Sequence, residues 1–396
     1  MWLVGVLTAA IACVTTWLVT PSIVRIAHRV GAVDHPGPRK IHAAPIPRVG
    51  GLAVFLGFAA GLTFAAFATG YLTSHEHERV GYWSILAVAA AAVLILGLLD
   101  DIRPVSFQWK FFFQVLAATV VWAAGFRVQM LGVPFVSDAV HLGWLSLPLT
   151  VLWIVGITNA FNLIDGLDGL AAGTALITTT VVAILALHGG RIAVSAVSVA
   201  LVGALVGFLR YNFVPAQIFL GDSGSMFLGF SIAVISIHGN QKNVTAVAVF
   251  APLLIMGYPI LDTGIAIARR LNSIRTDSAD RGGVRYMVRN AYRVFLPDRG
   301  HLHHRLLEAG MSHRAAVLSL YGCAIALAGS ALVLVVMNSV VGAILLAGSL
   351  TVLTLAFFAF VLVRARLARR RQDDTPAGAP PSPTRTVTPG EALGRR

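Results

Sequence analysis

Apolar runs of about twenty residues recur along most of this chain, and they constrain its fold more than any other feature. A helix of that length crosses the hydrocarbon core of a bilayer, where the backbone must satisfy its hydrogen bonds internally. Only 12% of the residues are charged, against roughly 25% in soluble domains, and the mean hydropathy is +0.80. We therefore exclude a soluble globular protein and predict an all-α, polytopic membrane protein.

The runs predict about eleven transmembrane helices. The eighth run is short, so its helix would span by tilting or by snorkelling of its flanking residues. The predicted spans are Leu3–Ile23, Val49–Tyr71, Gly81–Leu99, Phe107–Phe126, Leu145–Phe161, Gly169–Leu187, Ile192–Leu209, Ser223–Ile237, Val244–Ala266, Ala315–Met337 and Val340–Val363.

Lysine and arginine are distributed unevenly between the predicted loops. They crowd the loop after the first span, the loop after the ninth span and the C-terminal tail, whereas the other side holds only Arg79, Arg127, Arg191 and Lys242. Basic loops stay in the cytoplasm, so we predict an external N-terminus and a cytoplasmic C-terminus. The same loops explain the net charge of +13 without a nucleic-acid partner.

The predicted organisation is one transmembrane unit followed by a tail. Residues 1–366 form the transmembrane unit, with a cytoplasmic loop at residues 268–314. Residues 367–396 are rich in Pro, Thr, Gly and Ala, a composition typical of disordered segments, and we expect a disordered cytoplasmic tail.

Acidic residues are scarce, and five of the seventeen form three clusters at the ends of apolar runs. The clusters are Asp100-Asp101, Asp165 with Asp168, and Asp222. A carboxylate beside hydrocarbon is costly unless it has a partner or a function. The topology, which rests on Lys and Arg alone, puts all three clusters on the cytoplasmic side, where they could build one anionic, metal-binding site.

Each cluster also has an ordinary structural interpretation. Two carboxylates at the C-terminal end of a helix are unfavourable, so Asp100-Asp101 indicates a cation, or one carboxylate with a raised pKa, unless that helix end is simply solvated. Asp165 and Asp168 would share one face of a helix, or one of them would cap the sixth span. Asp222 could likewise cap the eighth span.

Basic and imidazole groups lie near the acids in the predicted topology. Lys110 sits at the membrane surface, and Arg299 precedes a cluster of His301, His303 and His304. The histidine spacing matches no usual zinc pattern and no Cys accompanies it, so phosphate binding, acid–base chemistry or a solvated loop remain open. Asp262 is a weaker candidate.

These groups together suit one chemistry. Carboxylates hold divalent cations, basic groups hold phosphates, and apolar helices hold a lipid tail. Mg²⁺ is the natural metal, since it favours carboxylates together with substrate phosphates, and Mn²⁺ is the alternative. The combination predicts phosphoryl transfer between a soluble nucleotide and a lipid.

Five motifs in order resemble the polyprenyl-phosphate N-acetylhexosamine-1-phosphate transferases. They are the Asp100-Asp101 pair, Asn-Leu-Ile-Asp-Gly-Leu-Asp-Gly at residues 162–169, Asn212 with Pro-Ala-Gln-Ile-Phe-Leu-Gly-Asp at residues 215–222, His-Leu-His-His at residues 301–304, and Pro-Arg-Val-Gly-Gly at residues 47–51. The resemblance covers the chain from the first span to the eleventh and excludes the tail.

The resemblance implies a reaction at the cytoplasmic face of a bacterial plasma membrane. Undecaprenyl or another polyprenyl phosphate attacks a UDP-N-acetylhexosamine, UMP leaves, and Mg²⁺ is required. It also implies the residue roles: Asp100 and Asp101 are catalytic, and Asp222, Asp101 and Asp165 bind the metal. The implied substrate-binding residues are Asn162, Asp165, Asp168, Asn212, Lys110, Lys40, Arg299, His301, His303 and His304. A homodimer is compatible with it.

Within that family, the sequence around the histidines favours one branch. Arg-Gly-His-Leu-His-His-Arg after a long basic loop resembles the UDP-N-acetylglucosamine branch, whereas the peptidoglycan branch shows Pro-Leu-His-His-His. The phospho-MurNAc-pentapeptide translocase remains the alternative within the family.

Two hypotheses outside the family stay open at this point. A phosphotransferase with a CDP-linked donor would need Ala-Arg shortly after Asp168-Gly169, which this chain lacks. A secondary transporter would place its intramembrane acids near the midplane rather than at one surface.

Overall fold

The computed structural model describes most of the chain as helix. The described residues are 2–36, 44–70, 77–131, 140–238, 252–281, 301–336, 348–357, 359–360 and 363–364. Among them, seven helices are long and apolar enough to cross a membrane. The all-α, polytopic prediction is thus confirmed, while the eleven spans and the orientation of the termini stay predictions.

Most of the described residues lie in helices, which range from 7 to 29 residues in length. In chain order they are α1 (Trp2–Val30), α2 (Gly50–Ala68), α3 (His77–Ile102), α4 (Phe107–Ala123), α5 (Ser146–Ile164), α6 (Leu170–His188), α7 (Ile192–Asn212), α8 (Gly221–His238), α9 (Gly257–Arg281), α10 (Leu302–Glu308), α11 (His313–Val336) and α12 (Gly348–Phe357). Two short antiparallel pairs join β1 (Val33–Asp34) to β2 (Ile46–Pro47) and β3 (Met130–Leu131) to β4 (Val140–His141).

Helix α8 lies at the centre of the bundle. It packs against α2, α3, α5, α6 and α7, and residues 223–237 are all buried. A helix that is apolar all round suits such an interior position. The predicted eighth span is therefore short because its neighbours, rather than lipid, surround it, and its first turn lies among the ends of those neighbours.

Small residues bring α1 close to α2 and α7. A side chain at Gly203 of α7 would overlap the backbone carbonyl of Ala9 in α1, and one at Gly57 of α2 would overlap Thr16. Close backbone approach at small residues is the usual way in which helices associate inside a bilayer, where the lipid tails are as apolar as the side chains. These helices form one wall beside α8.

A methyl group at Gly203 is expected to separate α1 from α7. The Gly203→Ala variant should lower the stability by about 1–3 kcal/mol, because the overlap is with backbone that cannot rotate away. The midpoint of denaturant unfolding in detergent measures this. The matched control is Gly156→Ala in α5, where nothing lies within 4 Å of an added methyl group; a gain of up to about 1 kcal/mol from helix propensity is expected there. Equal effects at the two sites would contradict the packing argument.

The structure corrects two local interpretations of the sequence. Asp165 ends α5 and Asp168 lies in the following turn, so these two carboxylates do not share a helix face. Neither caps α6, since the residue before that helix is Gly169, whose φ of +77° is left-handed. Helix α9 continues beyond Ala266, where the ninth span is predicted to end, as far as Arg281. The early part of the predicted loop 268–314 is therefore helical.

Candidate active site

Asp100 and Lys110 form the first part of a polar cluster where α3 ends and α4 begins. The Asp100 Oδ1 accepts a hydrogen bond from the Val105 backbone N–H at 2.6 Å, and the Lys110 Nζ lies 2.8 Å from Asp100 Oδ2. The same ammonium lies 3.3 Å from Asp222 Oδ2. One cation thus bridges carboxylates that are 122 positions apart in sequence and offsets their repulsion.

Asp222 is held on its other side by Asn162. The Asn162 Nδ2 donates to Asp222 Oδ1 at 2.9 Å and to Ser225 Oγ at 3.0 Å. Asn162 lies in the last turn of α5, and Asp222 lies in the first turn of α8. The three acidic clusters therefore meet at one end of the bundle.

Asp101 turns away from Lys110 towards the start of α8. Its Oδ1 accepts from the Asp222 backbone N–H at 2.9 Å, and its Oδ2 accepts from the Ser223 N–H at 3.0 Å. Arg48 Nε lies 3.3 Å from Asp101 Oδ1. These contacts use the unpaired N–H groups of the first turn of a helix, which favour an anion.

The glycine-pair motif after the first span also contacts the approach to α8. Gly50 donates its backbone N–H to Phe219 O at 3.0 Å, and Gly51 donates to Leu220 O at 2.9 Å. Phe219 in turn donates to Pro47 O at 2.8 Å. These backbone hydrogen bonds fix the loop before Asp222. The glycine-pair motif therefore has a structural role in positioning that loop.

The turn from Asp165 to Gly169 lies beside the cluster. Burial of the Asp165 carboxyl raises its pKa well above the ordinary value, and the nearby carboxylates of Asp222, Asp101 and Asp168 raise it further. The turn itself is held by α11: the Tyr321 hydroxyl donates to Gly169 O at 2.5 Å. Burial and the neighbouring carboxylates thus both disfavour the ionised form of Asp165.

The histidine motif packs against this turn. The Asp262 carboxylate of α9 lies 2.8 Å from His301 Nδ1 and accepts the Leu302 N–H at 2.6 Å. The ring of His303 is stacked on that of His301 and tilted against that of His304. It also contacts Gly166 closely enough that a side chain at Gly166 would overlap His303 Nε2. The weaker candidate Asp262 thus anchors the motif.

His303 is buried, and neither of its ring nitrogens has a hydrogen-bond partner within the described part of the chain. Burial, helped by the neighbouring His304, lowers the pKa of His303 from 6.5 to about 3. A buried polar group without a partner is rare and costly, so these nitrogens are candidates for bonding to a polar ligand.

The pKa of His303 predicts an acid-sensitive fold. Below pH 6.5 the unfolded chain binds a proton at His303 that the folded chain refuses, so stability falls as the pH falls. The loss between neutral pH and about pH 5 should reach about 2 kcal/mol. Thermal unfolding at both pH values measures it, and the His303→Asn variant should lose that part of the pH dependence. Identical pH dependence in the two proteins would contradict the prediction.

The structure brings some predicted residues into the cluster and leaves others beside it. Asp168 Oδ2 accepts the Ala216 N–H at 2.9 Å, and the Asn212 Nδ2 donates to Ile218 O at 2.9 Å. Both side chains brace the loop between α7 and α8. Lys40 and Arg299 lie outside the described residues.

Two side chains that hold the turn from Asp165 to Gly169 were not predicted from the sequence. His313 Nε2 accepts the Asp168 backbone N–H at 3.1 Å, and Tyr321 bonds to Gly169 as above. Both lie in α11, about 150 residues further along the chain. No local pattern distinguishes these side chains, since only the packing of α11 on α6 brings them to the turn.

The cluster fits a divalent cation by its chemistry. Among the described residues, no three His, Cys, Asp or Glu side chains are already grouped to hold a metal. Asp100, Asp101, Asp165 and Asp222 nevertheless face only Lys110 and Arg48 in their described ion pairs. The excess of carboxylates, together with the raised pKa of Asp165, makes this cluster an oxygen-rich, anionic site of a kind that suits a hard divalent cation.

The fold and site define a polytopic membrane enzyme with an acidic and basic cluster at one end of its helices. The model of glycosyl transferase family 4 matches residues 83–240. A probable undecaprenyl-phosphate N-acetylglucosaminyl 1-phosphate transferase of Bacillus subtilis is 41% identical over 311 residues, which cover 78% of this chain and 79% of the relative.

Other relatives extend the comparison. The decaprenyl-phosphate N-acetylglucosaminephosphotransferase of Mycobacterium tuberculosis is 38% identical over 331 residues, covering 78% of this chain and 77% of the relative. The undecaprenyl-phosphate alpha-N-acetylglucosaminyl 1-phosphate transferase of Escherichia coli is 27% identical over 297 residues, covering 74% and 73%.

This chain belongs to glycosyl transferase family 4, and it is a phosphotransferase. The resemblance carried by the five motifs is thereby confirmed. Membership of a transferase family also decides against the secondary transporter.

Proposed function

We propose that this enzyme transfers N-acetylglucosamine 1-phosphate from UDP-N-acetylglucosamine to a polyprenyl phosphate and releases UMP. The names of its relatives support the sugar and the lipid acceptor, undecaprenyl phosphate first among them. The observation that carries the proposal is the contact of Lys110 with both Asp100 and Asp222 where α3, α4 and α8 meet. That arrangement combines cation-binding oxygens with a phosphate-binding ammonium.

The reaction exchanges one phosphoanhydride for another. An oxygen of the lipid phosphate forms a bond to the phosphorus that carries the sugar, and the bond from that phosphorus to the oxygen of the UMP phosphate breaks. A phosphomonoester, with a second pKa of about 6, is largely ionised near neutral pH, so the attacking oxygen needs no dedicated base. The protein's main tasks are to hold the two phosphates in line and to balance their charge.

Asp222, Asp165 and Asp100 are the residues that would hold Mg²⁺, because their carboxyl groups converge with few cations near them. The bound ion would neutralise charge on the diphosphate of the donor. Mn²⁺, which accepts the same oxygen ligands, would replace it.

Lys110 would exchange part of its contact with the carboxylates for a substrate phosphate. Its side chain is 22% exposed, so it is reachable from solvent, and its ammonium has three donors to share. Asn162 would keep Asp222 oriented during that exchange through its 2.9 Å hydrogen bond. Lys40 and Arg299 would add positive charge around the phosphates.

The histidine motif would contact the nucleotide sugar. His303 has two unused ring nitrogens among the described contacts, and it lies on the Asp165–Gly169 turn. Its lowered pKa keeps the ring neutral, so it offers one donor and one acceptor rather than a charge. His301, held by Asp262, would fix the orientation of the stack.

A reconstituted assay tests the proposal. Purified protein in detergent receives Mg²⁺, undecaprenyl phosphate and radiolabelled UDP-N-acetylglucosamine, and both the lipid-linked product and UMP are measured. Equal amounts of the two products are expected, and both should disappear when EDTA removes the metal. The absence of product with this donor and with other UDP-sugars would refute the proposal, and release of CDP from a CDP-linked donor would favour the other phosphotransferase class.

The cytoplasmic orientation of the site is also part of the proposal. In sealed inside-out membrane vesicles, a donor added outside should be used without permeabilisation, because a nucleotide sugar does not cross the bilayer. Activity in right-side-out vesicles only would reverse the predicted topology.

A further inference from the structure

Both oxygens of the Asp101 carboxylate are engaged by contacts within the protein. Its Oδ1 accepts from the Asp222 N–H at 2.9 Å and lies 3.3 Å from Arg48 Nε, and its Oδ2 accepts from the Ser223 N–H at 3.0 Å. The side chain has 0% relative exposure. A charged acceptor bonded to consecutive N–H groups at a helix N-terminus makes short, strong hydrogen bonds.

We propose that Asp101 is a positioning residue that seats the first turn of α8, and so places Asp222 against Lys110 and Asn162, rather than a general base or a metal ligand. This proposal rests on the proposed function for the role of Asp222. It separates two adjacent acids that the sequence motif presents as one pair.

The neighbouring Asp100 has a different environment. Its Oδ2 is bonded to the ammonium of Lys110, which also reaches Asp222. Among the described residues, its one backbone partner is the Val105 N–H. Asp100 can therefore exchange a partner when a substrate or an ion arrives, whereas two of the three described Asp101 contacts are backbone N–H groups at the start of α8.

Glycines on α2 and α3 allow the first turn of α8 to pack closely against both helices. Gly97 lies one turn before Asp101 on α3, and a side chain there would come within 2.5 Å of Asp222 O and of Ser223 Cα. Gly51 of α2 meets the backbone of Ser223 and Gly224 from the other side. The first turn of α8 thus packs directly against the backbone of α2 and of α3. Asp101 of α3 accepts the hydrogen bonds from that turn.

The direction in which stability changes when the charge of Asp101 is removed distinguishes a positioning residue from a metal ligand or a general base. If Asp101 seats α8, removing its charge from the metal-free protein breaks hydrogen bonds and should destabilise the fold. If Asp101 serves as a metal ligand or base within a crowded acidic site, removing its charge relieves repulsion and should leave the metal-free protein equally stable or more stable. Asp165→Asn is the matched control, because Asp165 is crowded by three other carboxylates and Asn keeps an oxygen that can accept its one backbone hydrogen bond, from Gly221.

The experiment uses the full chain in detergent with EDTA, and it compares thermal unfolding midpoints of the wild type, Asp101→Asn, Asp101→Leu and Asp165→Asn. Asn keeps one acceptor oxygen and Leu keeps none, so the midpoint should fall from wild type to Asn and further to Leu. Asp165→Asn should not fall. With Mg²⁺ and both substrates, Asp101→Asn should lower kcat at least about tenfold while each KM stays within about threefold.

The proposal is overturned if Asp101→Asn leaves the metal-free midpoint unchanged or raises it. A rise of about tenfold or more in either KM would also overturn it, since that would indicate direct contact with substrate. Should Asp101→Leu fail to fold, the Asn variant alone decides the sign. If the wild type lacks transferase activity, the proposed function fails, but the order of the midpoints still tests whether Asp101 seats α8.

Discussion

Replacement of Asp222 by Asn should lower kcat by about a thousandfold or more while leaving the protein folded. The two side chains have the same shape, so α8 keeps its place, and Lys110 keeps its 2.8 Å contact with Asp100. What is lost is the negative charge that faces Lys110 at 3.3 Å and accepts from Asn162 at 2.9 Å. The proposed ion would then lose its central ligand.

UMP release at saturating Mg²⁺ and substrates measures the effect, and the thermal midpoint confirms folding. The control is Asp138→Asn, which removes an acid that the predicted topology places at the opposite membrane surface. It should retain full activity. If Asp222→Asn kept more than about a tenth of the wild-type kcat, the metal-binding role of Asp222 would be refuted.

Replacement of Gly221 by Ala should both destabilise the protein and reduce its activity. Gly221 has a φ of +75°, a conformation that costs a residue with a Cβ about 1 kcal/mol or more. The added methyl group would also overlap the Arg48 carbonyl and come within 2.7 Å of Asp101 Oδ2. The start of α8 would have to move, and Asp222 would move with it.

The matched control for this change is Gly31→Ala. Its φ of +74° is nearly the same, but nothing lies within 4 Å of the added methyl group. Gly31→Ala should therefore lower the stability by about 1 kcal/mol through backbone strain alone and leave kcat unchanged. Gly221→Ala should lower the thermal midpoint further and reduce kcat at least about tenfold, because a small displacement at a reacting centre is expensive. Equal behaviour of the two variants would show that the contacts around Gly221 do not matter.

The membrane fold could be predicted from the sequence because its cause is local. A run such as that of α7 is long and apolar enough to require a helix, whatever its neighbours are. Helix ends were less predictable. Asn162 and Ile164 belong to α5 although the predicted span ended at Phe161, because polar residues can extend a helix when a tertiary partner such as Asp222 satisfies them.

The candidate site could be predicted in part. The scarcity of acids made Asp100, Asp101 and Asp222 conspicuous, and positive-inside reasoning put them on one side. The hydrogen bond from Tyr321 to Gly169 and the contact of Asp262 with His301 could not be predicted. Each depends on a partner that lies far along the chain.

By itself, the sequence determined that this chain is a bundle of membrane helices, and it predicted that the clusters Asp100-Asp101, Asp165 with Asp168, and Asp222 lie on one side, because hydrophobic length and charge act on each segment separately. Only the tertiary structure decided what each acid contacts. Asp100 and Asp101 are neighbours with identical side chains, but successive residues of a helix point about 100° apart. One carboxylate therefore meets Lys110, and the other meets the first turn of α8.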